Sequence, residues 1–144
     1  NITLVLGRYE GIDERISPMI QEKISIGDYV LSGGEIPALV LIDALIRYIP
    51  GVITAESVTE DSFENQLLDH PHFTRPQNWH DKDVPQALTN GNHQEIADYR
   101  LMHKLGQTWL NRPDLLINRN LCKKELALLA KFVQNHQRRG EDYE

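Results

Sequence analysis

The sequence predicts an α/β unit followed by an all-α unit, and three observations carry that expectation. Ile2-Thr3-Leu4-Val5-Leu6 is a continuous apolar run rich in β-branched residues and stopped by Gly7. Ser25 to Pro37 is glycine-rich and leads directly into a strongly apolar stretch, Ile36 to Ile49. From Asn92 onward the spacing is helical. An apolar run at consecutive positions reads as a strand buried on both faces, as in a parallel sheet. Ligands of open α/β sheets sit beyond the carboxyl ends of such strands, which puts Gly7 to Glu10 on the binding edge.

Taken in order, Ile12 to Lys23 has helix-compatible spacing but contains Ser17-Pro18, so a helix here is short or starts late. Ile24-Ser25-Ile26 is a brief strand candidate. In the loop that follows, Gly27, Gly33 and Gly34 permit positive φ and close backbone approach, so main-chain N–H and C=O groups can line a ligand. An ordinary strand–turn–helix junction has the same composition. The spacing is neither G-x-G-x-x-G nor a P-loop. Pro37 suits the first helical turn, where no donor is wasted. Ile36 to Ile49 is apolar almost all round and reads as a buried helix stopped by Pro50-Gly51. Asp43 and Arg47 stand at i, i+4 with the acid first, the order of a helix-surface ion pair.

From Gly51 to Trp79 the periodicity fades. Ser57-x-x-Glu60 is a capping-box pattern, so Glu60 and Asp61 can simply open a short helix. His70-Pro71-His72 suggests a metal site, yet there is no accompanying Cys pair and no H-E-x-x-H, so no metal centre is expected. His72, Phe73, Thr74 and Arg75 read better as an RNA-facing loop, with a ring to stack on an unpaired base and Arg to hold phosphate. A loop fixed by Pro71 and Pro76 with Phe73 in the core is the alternative. Asn92 with Glu95 resembles an N-cap and its reciprocal acid. Ile96, Tyr99, Met102 and His103 share one face of that helix, and Arg100 and Lys104 line another. Pro113 opens a short helix, and Lys123 to Arg138 forms a further one with Leu126, Leu129, Phe132 and Val133 at core spacing.

The 144 residues suit one compact domain or two small ones. A single cysteine, Cys122, excludes an internal disulfide and fits a reducing compartment. The longest apolar run carries Asp43 and Arg47 and is too short to span a membrane. The net charge of −6 is unevenly spread: residues 1–60 hold four Lys/Arg against nine Asp/Glu, whereas residues 100–139 hold nine against two. A basic C-terminal half suits a phosphate backbone, although a solvated helical face looks the same.

Ser25 to Ala38, with Leu6-Gly7-Arg8-Tyr9-Glu10-Gly11-Ile12-Asp13-Glu14-Arg15 upstream, resembles the bacterial tRNA (guanine-N1)-methyltransferase family of the SPOUT class. The likeness continues through Thr59 to Phe63, Pro71 to Pro76, Gly91-Asn92-His93 and Thr108 to Leu116, and weakens after Leu121. It implies the C-terminal portion of a trefoil-knotted SPOUT domain over residues 1–53, a flexible linker over 54–66 and a helical tRNA-binding domain over 67–144. Because the chain starts inside its first strand, and the family carries a sizeable segment before that point, a fragment is expected.

The resemblance also implies the reaction and its residues. The family transfers a methyl group from S-adenosylmethionine to N1 of the guanosine immediately 3′ of the anticodon. The cofactor would meet Gly7, Tyr9 and Glu10 in the first knot loop. In the second it would meet Ile26, Gly27, Asp28, Tyr29, Val30 and Leu31, with Gly33, Gly34 and Pro37. Asp61 matches the general base and Arg47 faces the reacting base. Asp69, His72, Phe73, Thr74, Arg75, Asn92, His93 and Arg100 fall on the RNA side. A cytoplasmic homodimer sharing its active site across the interface is implied. Dependence on a divalent ion, which some members show without a dedicated protein cage, is not fixed by these residues. Two departures stand out: Cys122 where the family has a Thr or Ser cap, and the polar pair Thr89-Asn90 before Gly91. Two other classes stay open: a fragment that only binds RNA or dimerises, and a different nucleotide-dependent α/β enzyme.

Overall fold

The computed structural model describes residues 1–52, 62–63 and 65–141. The chain divides into two compact units, Asn1–Val58 and Thr59–Glu144.

In the first unit, residues 2–6 are extended but make no ladder, and isolated bridges join Arg8 to Gly11 and Arg8 to Gly33. The strands expected at 2–6 and 24–26 therefore do not form. A strand is completed by a neighbour's N–H and C=O groups, and the described residues supply none here. Ile2 is accordingly 77% exposed rather than buried on both faces. A 3-10 turn, Glu14–Met19, takes the place of the short helix, with Asp13 accepting from the Arg15 amide at 2.9 Å and Pro18 accommodated inside. Helix α1, Glu35–Ile46, starts from Gly34 without a side-chain cap. Pro37 lies in its first turn, where amides have no partner within the helix. The helix expected to be buried is not: Ala38 is its one buried residue, while Leu39 is 65% and Ile36 55% exposed. Its apolar surface has too little of this unit to pack against.

The second unit is mostly helical. Helix α2 spans His93–Asn111, α3 Asp114–Ile117 and α4 Lys123–Glu141. The Asn92 cap forms as its pattern predicts: the side-chain oxygen accepts from the Gln94 and Glu95 amides, and Glu95 reaches back to the Asn92 side chain at 3.1 Å. At the start of α4, Glu125 accepts the Cys122 amide at 2.8 Å, which is the reciprocal half of a capping box, while Cys122 brings no hydroxyl to accept from the first-turn amides.

Helices α2 and α4 pack against each other around Leu105, Gly106, Thr108 and Phe132. Gly106 is required there, since a Cβ would run into the Phe132 ring. Leu126, expected in this core, is 53% exposed. The unit is not wholly helical, because a hairpin pairs β1, Asn78–Trp79, with β2, Lys82–Asp83. Its two loop residues, His80 (φ 49°) and Asp81 (φ 60°), are both left-handed, as a type I′ turn demands. No helix among the described residues is long and apolar enough to cross a membrane.

Candidate functional site

Two groups of sequence-selected residues are organised, one in each unit. In the first unit the glycine pair before α1 meets the first loop. Gly34 donates its amide to the Gly7 carbonyl at 2.9 Å, and Arg8 bridges to Gly33. Arg8 Nε donates to Glu35 Oε1 at 2.7 Å, tying the loop to the first turn of α1. That hydrogen bond lowers the Glu35 carboxyl from its ordinary value.

Gly34 has φ −79°, and neither Gly27 nor Gly33 has positive φ, which corrects the expectation drawn from their flexibility. What Gly34 supplies is proximity: a Cβ would lie 3.1 Å from Leu6 Cα and 3.3 Å from the Gly7 amide nitrogen. Left-handed backbone occurs instead at Tyr9 (φ 56°) and Gly11 (φ 117°), which turn the first loop. The turn from Ile26 to Leu31 is held locally, with Ser25 Oγ accepting the Gly27 amide at 3.3 Å and Tyr29 donating to the Ile26 carbonyl at 3.4 Å.

Gly7, Gly33, Gly34 and Pro37 are thus gathered where the first loop meets the start of α1. Tyr9 (98% exposed) and Val30 (97%) project outward, and Glu10, Asp28, Tyr29 and Leu31 are also exposed. Main-chain groups and exposed side chains therefore meet at this junction. Arg47 caps the C-terminal end of α1 and is exposed. Asp61 lies outside the described residues, as do Ser57 and Glu60.

In the second unit the organised group centres on Asp69. Its amide donates to Ser62 Oγ at 2.9 Å, and the preceding Leu68 amide donates to Thr108 Oγ1 at 2.8 Å. With its own amide and the one before it held, the Asp69 carboxylate accepts from the His70 amide at 2.7 Å and faces His72 Nε2 at 2.7 Å. Lys104 Nζ stands 3.4 Å away. Burial alone would raise the Asp69 pKa. The hydrogen bonds from His72 and the His70 amide, with the charges of Lys104 and His70, outweigh burial and hold it below the ordinary 3.8.

Lys104 does not share an outward face with Arg100. Its side chain is only 18% exposed and pairs with Asp69, whereas Arg100 is exposed. Phe73 is 47% exposed, with Thr74 and Arg75 beside it on an exposed loop. Asn92 has both ends of its amide engaged in capping α2, and His93 is the exposed first residue of that helix. The sequence reading assigned no role to Ser62 or Thr108, and it placed Lys104 beside Arg100 rather than at Asp69. Thr108 had a usable signal, since a polar residue three positions beyond Leu105 interrupts an otherwise apolar stripe.

Comparison with known proteins defines the class. Residues 1–118 match the family model described as tRNA (Guanine-1)-methyltransferase TrmD. The chain belongs to that family. A tRNA (guanine-N(1)-)-methyltransferase of Pseudoalteromonas translucida is 55% identical over 139 residues, covering 95% of this chain and 54% of the relative. The enzyme of the same name from Serratia marcescens is 54% identical over 143 residues, 98% of this chain and 56% of the relative. That of Klebsiella pneumoniae is 56% identical over 137 residues, 94% of this chain and 54% of the relative. The chain therefore spans about half the length of the curated relatives that it matches.

Proposed function

We propose that this chain carries the C-terminal part of an S-adenosylmethionine-dependent enzyme that methylates N1 of the guanosine immediately 3′ of the anticodon in tRNA. The observation that carries the reading is the Gly34 to Gly7 hydrogen bond, which draws together two loops that family likeness assigns to the cofactor. The knot, and a separate helical tRNA-binding domain over 67–144 joined by a 54–66 linker, belong to the same proposal.

S-adenosylmethionine supplies an electrophilic methyl group on a sulfonium. Main-chain groups of the two loops, with Tyr29 and Leu31 beside them, bind and orient its adenosine. Asp61 accepts the N1 proton as that nitrogen becomes the nucleophile. Arg47 donates to O6, where negative charge develops. Phe73 and Arg75 suit an unpaired, splayed nucleotide and its phosphate, and the anticodon loop offers such nucleotides at low cost. The exposed apolar residues of α1, Leu39, Ile42 and Leu45 among them, support a homodimer. Action on tRNA agrees with a cytoplasmic location.

The test is single-turnover methylation of tRNA, with Asp61→Asn as the variant. Cofactor and tRNA affinity should stay near wild type while the rate falls by about 10²–10⁴-fold, the usual worth of a general base. A variant within a few-fold of wild type would remove Asp61 from the chemistry. Retention of tRNA by this chain without any methyl transfer would favour a piece that only binds.

A further inference from the structure

Asp69, His70 and His72 each direct one ligand atom into a common volume, all within 4.8 Å of one another. His72 Nε2 lies 2.7 Å from Asp69 Oδ2, and His70 Nε2 lies 3.9 Å from Oδ1. Tetrahedral coordination at about 2.0–2.2 Å separates neighbouring ligand atoms by about 3.3–3.6 Å. The observed separations bracket that range, and the His72 side chain, 71% exposed, is free to adjust.

The orientation of the inner imidazole is set by the fold. His70 Nδ1 is 3.1 Å from the Pro71 carbonyl. A carbonyl only accepts, so Nδ1 is the donor in this contact, and the tautomer that a metal would bind is the one with its lone pair on Nε2, on the side of the carboxylate. This is the outer-shell arrangement by which a backbone carbonyl orients a metal-binding imidazole. His70 is also 8% exposed. Its neighbour Asp69 is fixed by Ser62 and, through Leu68, by Thr108, so two of the three ligands are preorganised. Ser62, Leu68, Pro71 and Gln107 surround a shallow recess beside them, leaving room for water in the remaining positions.

We propose that Asp69, His70 and His72 form a binding site for a borderline divalent transition ion of the Zn²⁺ class. Two imidazoles and one carboxylate select such ions over Mg²⁺, which prefers oxygen alone. On binding, His72 moves its Nε2 proton to the solvent-facing Nδ1 and offers the lone pair to the ion. Lys104, now 3.4 Å from Oδ1, is the competitor, because the ion takes over the charge that it neutralises. The ion would pin the turn from which Phe73, Thr74 and Arg75 project. The inference rests on this geometry and not on the tRNA reading, and it is tested without tRNA or S-adenosylmethionine.

The experiment is calorimetric titration with Zn²⁺, together with Co²⁺ absorption, on the chain and its variants, folding being checked by circular dichroism. One-to-one Zn²⁺ binding that excess Mg²⁺ does not displace is expected, with Co²⁺ bands that Zn²⁺ abolishes. His72→Ala and His70→Gln should each weaken binding by at least about tenfold, since even outer-shell changes cost 10–100-fold. Lys104→Gln should tighten it, and His80→Ala should leave it unchanged. Binding lost in His80→Ala but kept in His72→Ala, equal competition by Mg²⁺, or the absence of saturable Zn²⁺ binding would each overturn the proposal. Because His72 is exposed, its variant reads the site even if His70→Gln does not fold.

Discussion

The amide of Leu68 donates to the fully buried hydroxyl of Thr108 at 2.8 Å, and that hydroxyl donates in turn to the Lys104 carbonyl at 2.7 Å. One side chain thus satisfies a loop amide and spends its own proton within its helix. The loop it holds leads into Asp69.

Thr108→Val keeps the shape and removes both bonds. The Leu68 amide is then left without its acceptor, at a cost of about 1–3 kcal/mol. Thermal melting should show a clear loss of Tm, and Thr108→Ser should recover most of it. An unchanged melting point for the valine variant would mean that water reaches the Leu68 amide.

Gly34→Val should separate the two loops of the first unit. At φ −79° the new residue is not strained by its own backbone, so the effect comes from its contact with Leu6 and Gly7. S-adenosylmethionine affinity should fall in calorimetric titration, with Gly34→Ala intermediate, while tRNA affinity changes little. Near-normal cofactor affinity in both variants would take this junction out of the site.

Arg100→Gln should weaken tRNA binding and flatten the plot of log affinity against log salt, because a lost phosphate contact releases fewer counterions. Lys104→Gln should leave that slope alone, since Lys104 serves Asp69. Equal slopes for wild type and the Arg100 variant would place Arg100 outside the RNA footprint.

Stability should respond to acid through Glu125. Its hydrogen bond from Arg119, at 2.7 Å, and the Cys122 amide lower its pKa from the ordinary 4.5, partly offset by burial. A carboxyl lowered in the folded state stabilises fully above its unfolded pKa, and that contribution is lost as pH falls through the folded value. Glu125→Gln should therefore melt lower than wild type near neutrality, and the gap should narrow below about pH 4.5. A gap independent of pH would assign the loss to packing.

Local signals were legible in the sequence and long-range ones were not. Asn92 and Glu95 announced the start of α2, since a cap is made by residues three apart. The extended character of Ile2 to Leu6 was equally plain, but pairing depends on a neighbour that the run itself does not specify. The apolar stretch before Pro50 showed that α1 needs cover without showing what provides it. The β1–β2 hairpin was missed because His80-Asp81 lacks the Asn-Gly or Asp-Gly pair that usually marks left-handed turn positions. His70-Pro71-His72 was visible as a motif. The approach of Lys104 from a helix more than thirty residues on, and the tie from Thr108, appear only once the chain has folded.

Gly106 and Phe132 occupy the crossing of α2 and α4 as hand and glove. The glycine's missing side chain is the space that the ring fills, so neither position is free to drift alone. A larger residue at 106 demands a smaller one at 132, and a smaller ring leaves a hole that the glycine cannot close. Among related chains these two sites should change as a pair or stay as they are, and grafting either helix into another member of the family would need both residues to travel together.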